Sequence, residues 1–194
     1  MKELVLNIFM NGLHIGILEK RKKGTLYFSY TPSWLKTPGA RPLSLSLPLI
    51  DHLYSGDVVY NFFDNLLPDN DQIRKRIQAK YGLLSSHPFD ILEKIGSDCV
   101  GAIQMTPSNE PEFSHTIKSK PLNEKKIAEI LHGYQTNPLG MSDDFEDFRI
   151  SIAGAQEKTA FLYHNKKWHI PISGTPTSHI FKLPIGIIPY QQLD

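Results

Sequence analysis

The sequence predicts an α+β protein in which a small β-rich N-terminal subdomain, a helical middle and a second antiparallel sheet follow one another. Three observations carry that prediction. Residues 1–50 are built of short apolar runs and period-two alternation, with turn residues between them. Residues 59–95 carry apolar side chains three and four apart, which is helical spacing. Residues 148–183 return to strand-length runs separated by small, polar or glycine- and proline-bearing turns.

Residues 4–10 read as a strand, and Asn11-Gly12 after it signals a type I′ hairpin, because both central positions need positive φ. Residues 13–18 are the return strand and residues 25–30 a third. Lys20-Arg21-Lys22-Lys23, ended by Gly24, reads as a solvated turn between them. Leu43-Ser44-Leu45-Ser46-Leu47 alternates strictly, which predicts a strand with three leucines on one face, and Pro42 and Pro48 place it at a sheet edge. Residues 59–67 form an aromatic-rich helix that stops at Pro68. Asp71 caps a helix bearing Ile73, Ile77 and Tyr81, with Gly82 as its stop. Phe89, Leu92 and Ile95 make another helical stripe, closed by Gly96, and residues 100–105 read as a strand.

Residues 106–122, punctuated by Pro107, Pro111 and Pro121, are the expected linker between one domain at 1–105 and another at 123–194. Asn123 caps a helix with Ile127, Ile130 and Leu131 on one side, ending near Gly133. Strands follow at 148–152, 159–163, 168–172 and 179–183, the middle two joined by the turn His164-Asn165-Lys166-Lys167.

Bulk properties narrow the function classes. A hydrophobic fraction of 40% with 21% charged residues fits a folded globular chain rather than disorder. A formal net charge of +1 gives no global drive toward nucleic acid or membrane. The single cysteine, Cys99, rules out an internal disulfide and, lying among Val100, Ala102 and Ile103, reads as a small buried hydrophobe. No apolar run approaches the ~20 residues of a membrane span, and the N-terminus is too polar for a signal segment, so a cytoplasmic protein is expected. Eight histidines show no metal-ligand spacing, so no metal site is expected. The acidic run Asp143-Asp144…Glu146-Asp147 reads as a solvated connection.

The chemistry concentrates in Ser151-Ile152-Ala153-Gly154-Ala155-Gln156-Glu157-Lys158 and His179-Ile180-Phe181-Lys182. A turn of small residues lets backbone N–H groups approach a phosphate, and a lysine on a neighbouring strand can neutralise it. The order strand, small-residue loop, strand, turn, strand, loop, strand with lysine is that of a kinase N-lobe folding a loop over ATP. Taken alone, Ala153-Gly154-Ala155 reads first as an ordinary tight turn, and it is neither a G-x-G-x-x-G loop nor a Walker A sequence. Lys182 sits among Ile180, Phe181, Leu183 and Pro184; a lysine in such a run either reaches solvent from an edge strand or meets an anion.

Residues 147–160, Asp-Phe-Arg-Ile-Ser-Ile-Ala-Gly-Ala-Gln-Glu-Lys-Thr-Ala, closely resemble the nucleotide loop of the HipA family, bacterial serine/threonine kinase toxins of type II toxin–antitoxin modules. Residues 41–49 (Arg-Pro-Leu-Ser-Leu-Ser-Leu-Pro-Leu), residues 61–69 (Asn-Phe-Phe-Asp-Asn-Leu-Leu-Pro-Asp), Pro88-Phe89-Asp90 and residues 177–186 also resemble that family, in its order and over essentially the whole chain. The resemblance implies that Ala153, Gly154, Ala155, Gln156, Glu157 and Lys158 form the loop over ATP, that Lys182 holds its phosphates, and that Ser151 is autophosphorylated. A phosphate there adds about −1.5 to −2 charge beside a loop that must receive ATP phosphates, which would expel the loop. The resemblance also implies an aminoacyl-tRNA synthetase as substrate and a HipB-like helix-turn-helix antitoxin that reaches DNA on the toxin's behalf.

The family's catalytic and magnesium-binding aspartates lie in a helical C-lobe downstream of the lysine strand, so no catalytic residue and no magnesium ligand is expected within residues 1–194. Asp57 in Gly56-Asp57-Val58-Val59-Tyr60-Asn61 precedes the nucleotide loop, the wrong order for a catalytic loop, and is read as a helix cap. The apolar residues 183–190 are expected to want a partner surface. Two functions follow: the N-terminal part of a HipA-type kinase that is inactive alone, or a non-catalytic regulatory subunit that binds a separate C-lobe or a repressor.

Overall fold

The computed structural model describes residues 4–99, 101–110, 116–136, 158–172 and 174–182. Two antiparallel sheets organise it, each with its own apolar cluster. The first has the order β4-β3-β2-β1-β5, built from β1 (Leu4–Met10), β2 (Leu13–Lys20), β3 (Leu26–Tyr30), β4 (Tyr54–Ser55) and β5 (Ile103–Thr106). The second has the order β6-β8-β7-β9, built from β6 (Ser119–Leu122), β7 (Lys158–His164), β8 (Lys167–Pro171) and β9 (His179–Lys182). Helices α1 (Pro32–Leu35), α2 (Asp57–Asp64), α3 (Asp71–Lys80) and α4 (Pro88–Ile95) lie between β3 and β5, and α5 (Glu124–Thr136) follows β6.

The β1–β2 hairpin turns as its dipeptide requires, with Asn11 at φ 50° and Gly12 at φ 81°. Gly16 is needed by packing: a Cβ there would lie 2.5 Å from the Phe28 ring and 2.7 Å from the Ser29 carbonyl oxygen. One face of this sheet buries Leu6, Ile8, Leu18 and Phe28 against Val59 and Phe63 of α2 and Phe89 and Leu92 of α4. Helical spacing thus selects the sides of α2 and α4 that meet the sheet.

The alternating leucine segment is not a strand. Its backbone closes a tight turn, with the Leu47 N–H donating to the Ser44 carbonyl at 3.1 Å, and Leu45 is 98% exposed while Leu47 is fully buried. The serines decide this. The Ser46 N–H donates to Ser44 Oγ at 3.2 Å, a local bond that competes with a sheet ladder, and the flanking prolines cannot donate to one. Tyr30 clamps the turn from the core: its hydroxyl donates to the Leu47 carbonyl at 2.6 Å and accepts the Leu43 N–H at 2.7 Å.

Two helix starts also differ from expectation. Asn70, not Asp71, caps α3, its Oδ1 accepting the N–H groups of Gln72 and Ile73, and Asp71 sits in the first turn. Gly56, at φ 77°, is the residue before α2, so Asp57 favours that helix by its charge near the N-terminus rather than as a cap. Residues 119–122, expected within the linker, form β6. Pro121 is tolerated there because β6 is an edge strand. Gly133 lies inside α5 instead of closing it.

In the basic turn after β2, Arg21, Lys22 and Lys23 are exposed, as a solvated turn requires, while Lys20 is tethered. Lys20 Nζ donates to both Asp90 oxygens of α4, at 2.6 and 2.8 Å, and Arg21 stacks on Tyr27. His87 joins the same cluster: its Nε2 bonds the Gly24 carbonyl at 2.9 Å while Nδ1 accepts the Phe89 N–H and caps α4. That arrangement uses the neutral imidazole on both nitrogens. Burial, then the Lys20 charge, pushes the His87 imidazole below its ordinary range, outweighing the Gly24 bond. Burial alone would raise the Asp90 carboxyl, but hydrogen bonds from Lys20 and Ser85 hold it below its ordinary range.

Both groups therefore bind fewer protons folded than unfolded. The stability tied to His87 is present above its ordinary value of 6.5 and is lost as pH falls below it; that tied to Asp90 is lost below 3.8. Urea midpoints are expected to drop between pH 7.5 and 5.5, and His87→Asn, which keeps a capping side chain, is expected to flatten that slope. Tyr30→Phe is expected to cost about 1–3 kcal/mol, because it strands the Leu43 N–H and the Leu47 carbonyl, and a urea midpoint that does not move would refute the clamp.

Candidate functional site: a lysine pair across two strands

β7 begins at Lys158, the residue that ends the expected phosphate loop, and β9 pairs with it antiparallel. The register sets Lys158 opposite Lys182, Thr159 opposite Phe181, Ala160 opposite Ile180 and Phe161 opposite His179. Side chains alternate along a strand, and directly opposed residues share a face. One face of this sheet therefore carries Thr159, Phe161 and Phe181, and the other carries Lys158, Lys182, Ala160 and Ile180.

The first face is the packed one. Phe161 and Ile170 are buried with Ile127 of α5, and Ile130, Leu131, Trp168 and Phe181 pack around them. Aromatic rings continue across the strands: Phe161 to Phe181 at 5.0 Å, Trp168 to Phe181 at 5.2 Å and Tyr163 to Trp168 at 4.8 Å between centroids. Ser178 extends the β7–β9 ladder beyond its last strand residue, donating its N–H to the Phe161 carbonyl at 3.0 Å and accepting the Tyr163 N–H on its Oγ at 2.6 Å. This packing fixes the register, and with it the face on which the lysines stand.

The second face is open at its β9 edge, where Ile180 is 58% exposed. Two ammonium groups directly opposed on a sheet repel each other. Burial, then the charge of Lys182, lowers the Lys158 ammonium below the ordinary lysine range, while Asp69, from the segment between α2 and α3, acts in the opposite sense. Arg74 holds that segment, its guanidinium donating to Asp64 Oδ1 and to the Pro68 carbonyl, each at 2.6 Å. An anion bound between the two lysines would relieve their repulsion. Next to them, Ile180 is exposed and apolar, while Ala160 is buried.

Lys182 lies on an edge strand, as the solvent-facing reading has it, and stands on the same face as Lys158, as the phosphate reading needs. Ser151, Ala153, Gly154, Ala155, Gln156 and Glu157 lie outside the described residues, as do residues 183–190. Asp69 had no signal in the sequence, since only folding carries it to Lys158. The aromatic ladder was legible in retrospect, because Phe161, Tyr163, His179 and Phe181 sit at alternate positions of two strands. Among the described residues, no three potential ligands gather to hold a metal ion, and no helix is long and apolar enough to cross a membrane.

The family model described as the HipA N-terminal domain matches residues 6–106, more than half of the chain. The chain belongs to the HipA family. Among curated relatives, a candidate kinase of Sinorhizobium fredii, Y4mE, is 33% identical over 189 residues, covering 95% of this chain and 44% of its own length. The serine/threonine-protein kinase toxin HipA of Shewanella oneidensis is 27% identical over 184 residues, covering 93% of this chain and 40% of the toxin. The chain thus spans about two fifths of the length of these relatives. A solved complex of Shewanella oneidensis HipA, HipB and operator DNA contains a chain similar to it with a TM-score of 0.68 and 24% identity, over 91% of this chain and 40% of that one. That likeness shows a shared fold and extends the HipA-type architecture beyond residue 106 into the second sheet.

Thr159 is fully buried on the packed face, and its hydroxyl has no hydrogen-bond partner among the described residues. Thr159→Val is expected to leave stability unchanged or raise it by about 1 kcal/mol, since it removes an unsatisfied buried hydroxyl at nearly constant shape. A lowered thermal midpoint would mean that the hydroxyl is bonded.

Proposed function

We propose that this chain is the N-terminal part of a HipA-type toxin, an ATP-dependent protein serine/threonine kinase. The observation that carries the reading is the register pairing of Lys158 with Lys182 on one sheet face, directly after the small-residue stretch 153–157 in the sequence. In this reading the pair receives the nucleotide's phosphates, residues 153–157 cover them with backbone N–H groups, and the exposed Ile180 lies under the rest of the nucleotide. ATP arrives with magnesium, whose ligands, like the catalytic aspartate, belong to a helical C-lobe downstream of the lysine strand. The chain spans only 40–44% of the kinase relatives' length, which leaves room in them for such a lobe. Ser151 is then the autophosphorylation site, and its phosphate switches the loop off by repelling ATP.

The partner in this reading is a HipB-like helix-turn-helix antitoxin, supported by the structural neighbour, which was solved with HipB and operator DNA. Contact with DNA is then indirect, through the antitoxin. An aminoacyl-tRNA synthetase as target, and growth arrest as consequence, rest on the sequence resemblance. The cytoplasm suits a chain with one cysteine and no described helix able to span a membrane.

Titration calorimetry of the full 194-residue chain with ATP and magnesium tests the site. A charge-assisted contact contributes about 1.5–3 kcal/mol, so Lys182→Ala is expected to weaken binding by about tenfold or more. Equal affinities for wild type and variant would remove Lys182 from the phosphate site.

A further inference from the structure

Two lysines directly opposed on one sheet face make an unusual chemical environment even without a nucleotide. Lys158 is half-buried at the start of β7, and Lys182 is exposed on the edge strand beside it. The two are distinct in role: one ammonium is shielded and crowded, the other is free to meet an incoming anion. We propose that Lys158 is a self-acylating lysine, which takes an acyl group from small acyl phosphates while Lys182 holds their phosphate. Acylation would cancel one of the two charges offered to a triphosphate, so the modification would also lower nucleotide binding. Only that last consequence rests on the phosphate-site reading; the reactivity does not.

The step balances without any further reactant. Lys158 Nζ, as the free amine, attacks the carbonyl carbon of the acyl phosphate. A C–N bond forms, the C–O bond to phosphate breaks, phosphate leaves with the electron pair, and the nitrogen gives its extra proton to water. The geometry supplies the two requirements. Partial burial, then the like charge of Lys182 opposite it across the strands, favour the neutral, nucleophilic amine at Lys158. The Lys182 ammonium, on the same face, stabilises the charge building on the leaving phosphate. Asp69 opposes the first effect, since its carboxylate favours the charged form of Lys158. These are the charged groups acting on Lys158 among the described residues.

The experiment treats the full 194-residue chain with acetyl phosphate from pH 6.5 to 10 and follows acetylation of each lysine by peptide mass spectrometry. Lys36, exposed at the end of α1, serves as the internal reference. Lys158 is expected to react faster than Lys36 at pH 7.5, with a rate–pH midpoint below the ordinary lysine range. Lys182→Met is expected to slow Lys158 by about threefold for each unit by which its midpoint rises, and to slow it further with acetyl phosphate than with uncharged acetic anhydride. Asp69→Asn is expected to move the midpoint the other way and speed the reaction. If Lys158 reacts no faster than Lys36, or if Lys182→Met leaves its rate unchanged while circular dichroism shows the fold intact, the proposal is wrong. Inorganic triphosphate added to the wild type is expected to protect Lys158. Loss of that protection, with both variant effects preserved, would overturn the phosphate-site reading and leave the acylation site standing.

Discussion

The register between β7 and β9 governs everything that follows from this fold. A strand has a side-chain period of two, so a slip of one residue would send Lys158 to one face and Lys182 to the other. The aromatic residues on the packed face prevent that slip. Phe161 and Phe181 must lie against α5 together, and Ser178 bonds the backbone of β7 on both sides of the joint. The charged face is thus specified by the apolar one. The two ammonium groups are held on one face by packing that neither of them contributes to, and that packing outweighs their repulsion.

The N-terminal sheet reaches that site by charge rather than by shape. Its core is self-contained, with Phe28, Tyr30, Tyr54 and Phe63 at the centre and α2 and α4 laid across one face. From that core, Arg74 stiffens the segment after α2, and Asp69 on that segment acts on Lys158. A carboxylate from one subdomain therefore tempers the like-charge pair of the other. The Lys20–Asp90–His87 cluster does comparable work inside the first subdomain, tying the turn after β2 to the start of α4. Lys20, which read as part of a solvated turn, is a tether in the structure.

The leucine–serine segment teaches a different lesson about legibility. Its strict alternation predicts a strand, yet a hydroxyl two residues from a backbone N–H offers that N–H a closer partner than any neighbouring strand. Two prolines then forbid the ladder on either side. The same reasoning explains Pro121, which reads as punctuation but sits comfortably in β6, because an edge strand needs hydrogen bonds on one side only.

From residues alone came the hairpin at Asn11-Gly12, the apolar stripes of α2, α3 and α4, the cap at Asn123, and the strands that became β7, β8 and β9, all of which depend on neighbours close in the chain. Local dihedral preference and side-chain periodicity suffice for such features. Lys158 and Lys182, twenty-four positions apart, were expected in one phosphate site, but nothing in the sequence set them directly opposite each other. Tertiary structure decided that they face each other, that Asp69 approaches them, and that Leu45 rather than Leu47 meets solvent. The physical reason is common to all three: register, burial and electrostatic reach are properties of surfaces brought together, and no stretch of sequence contains both surfaces.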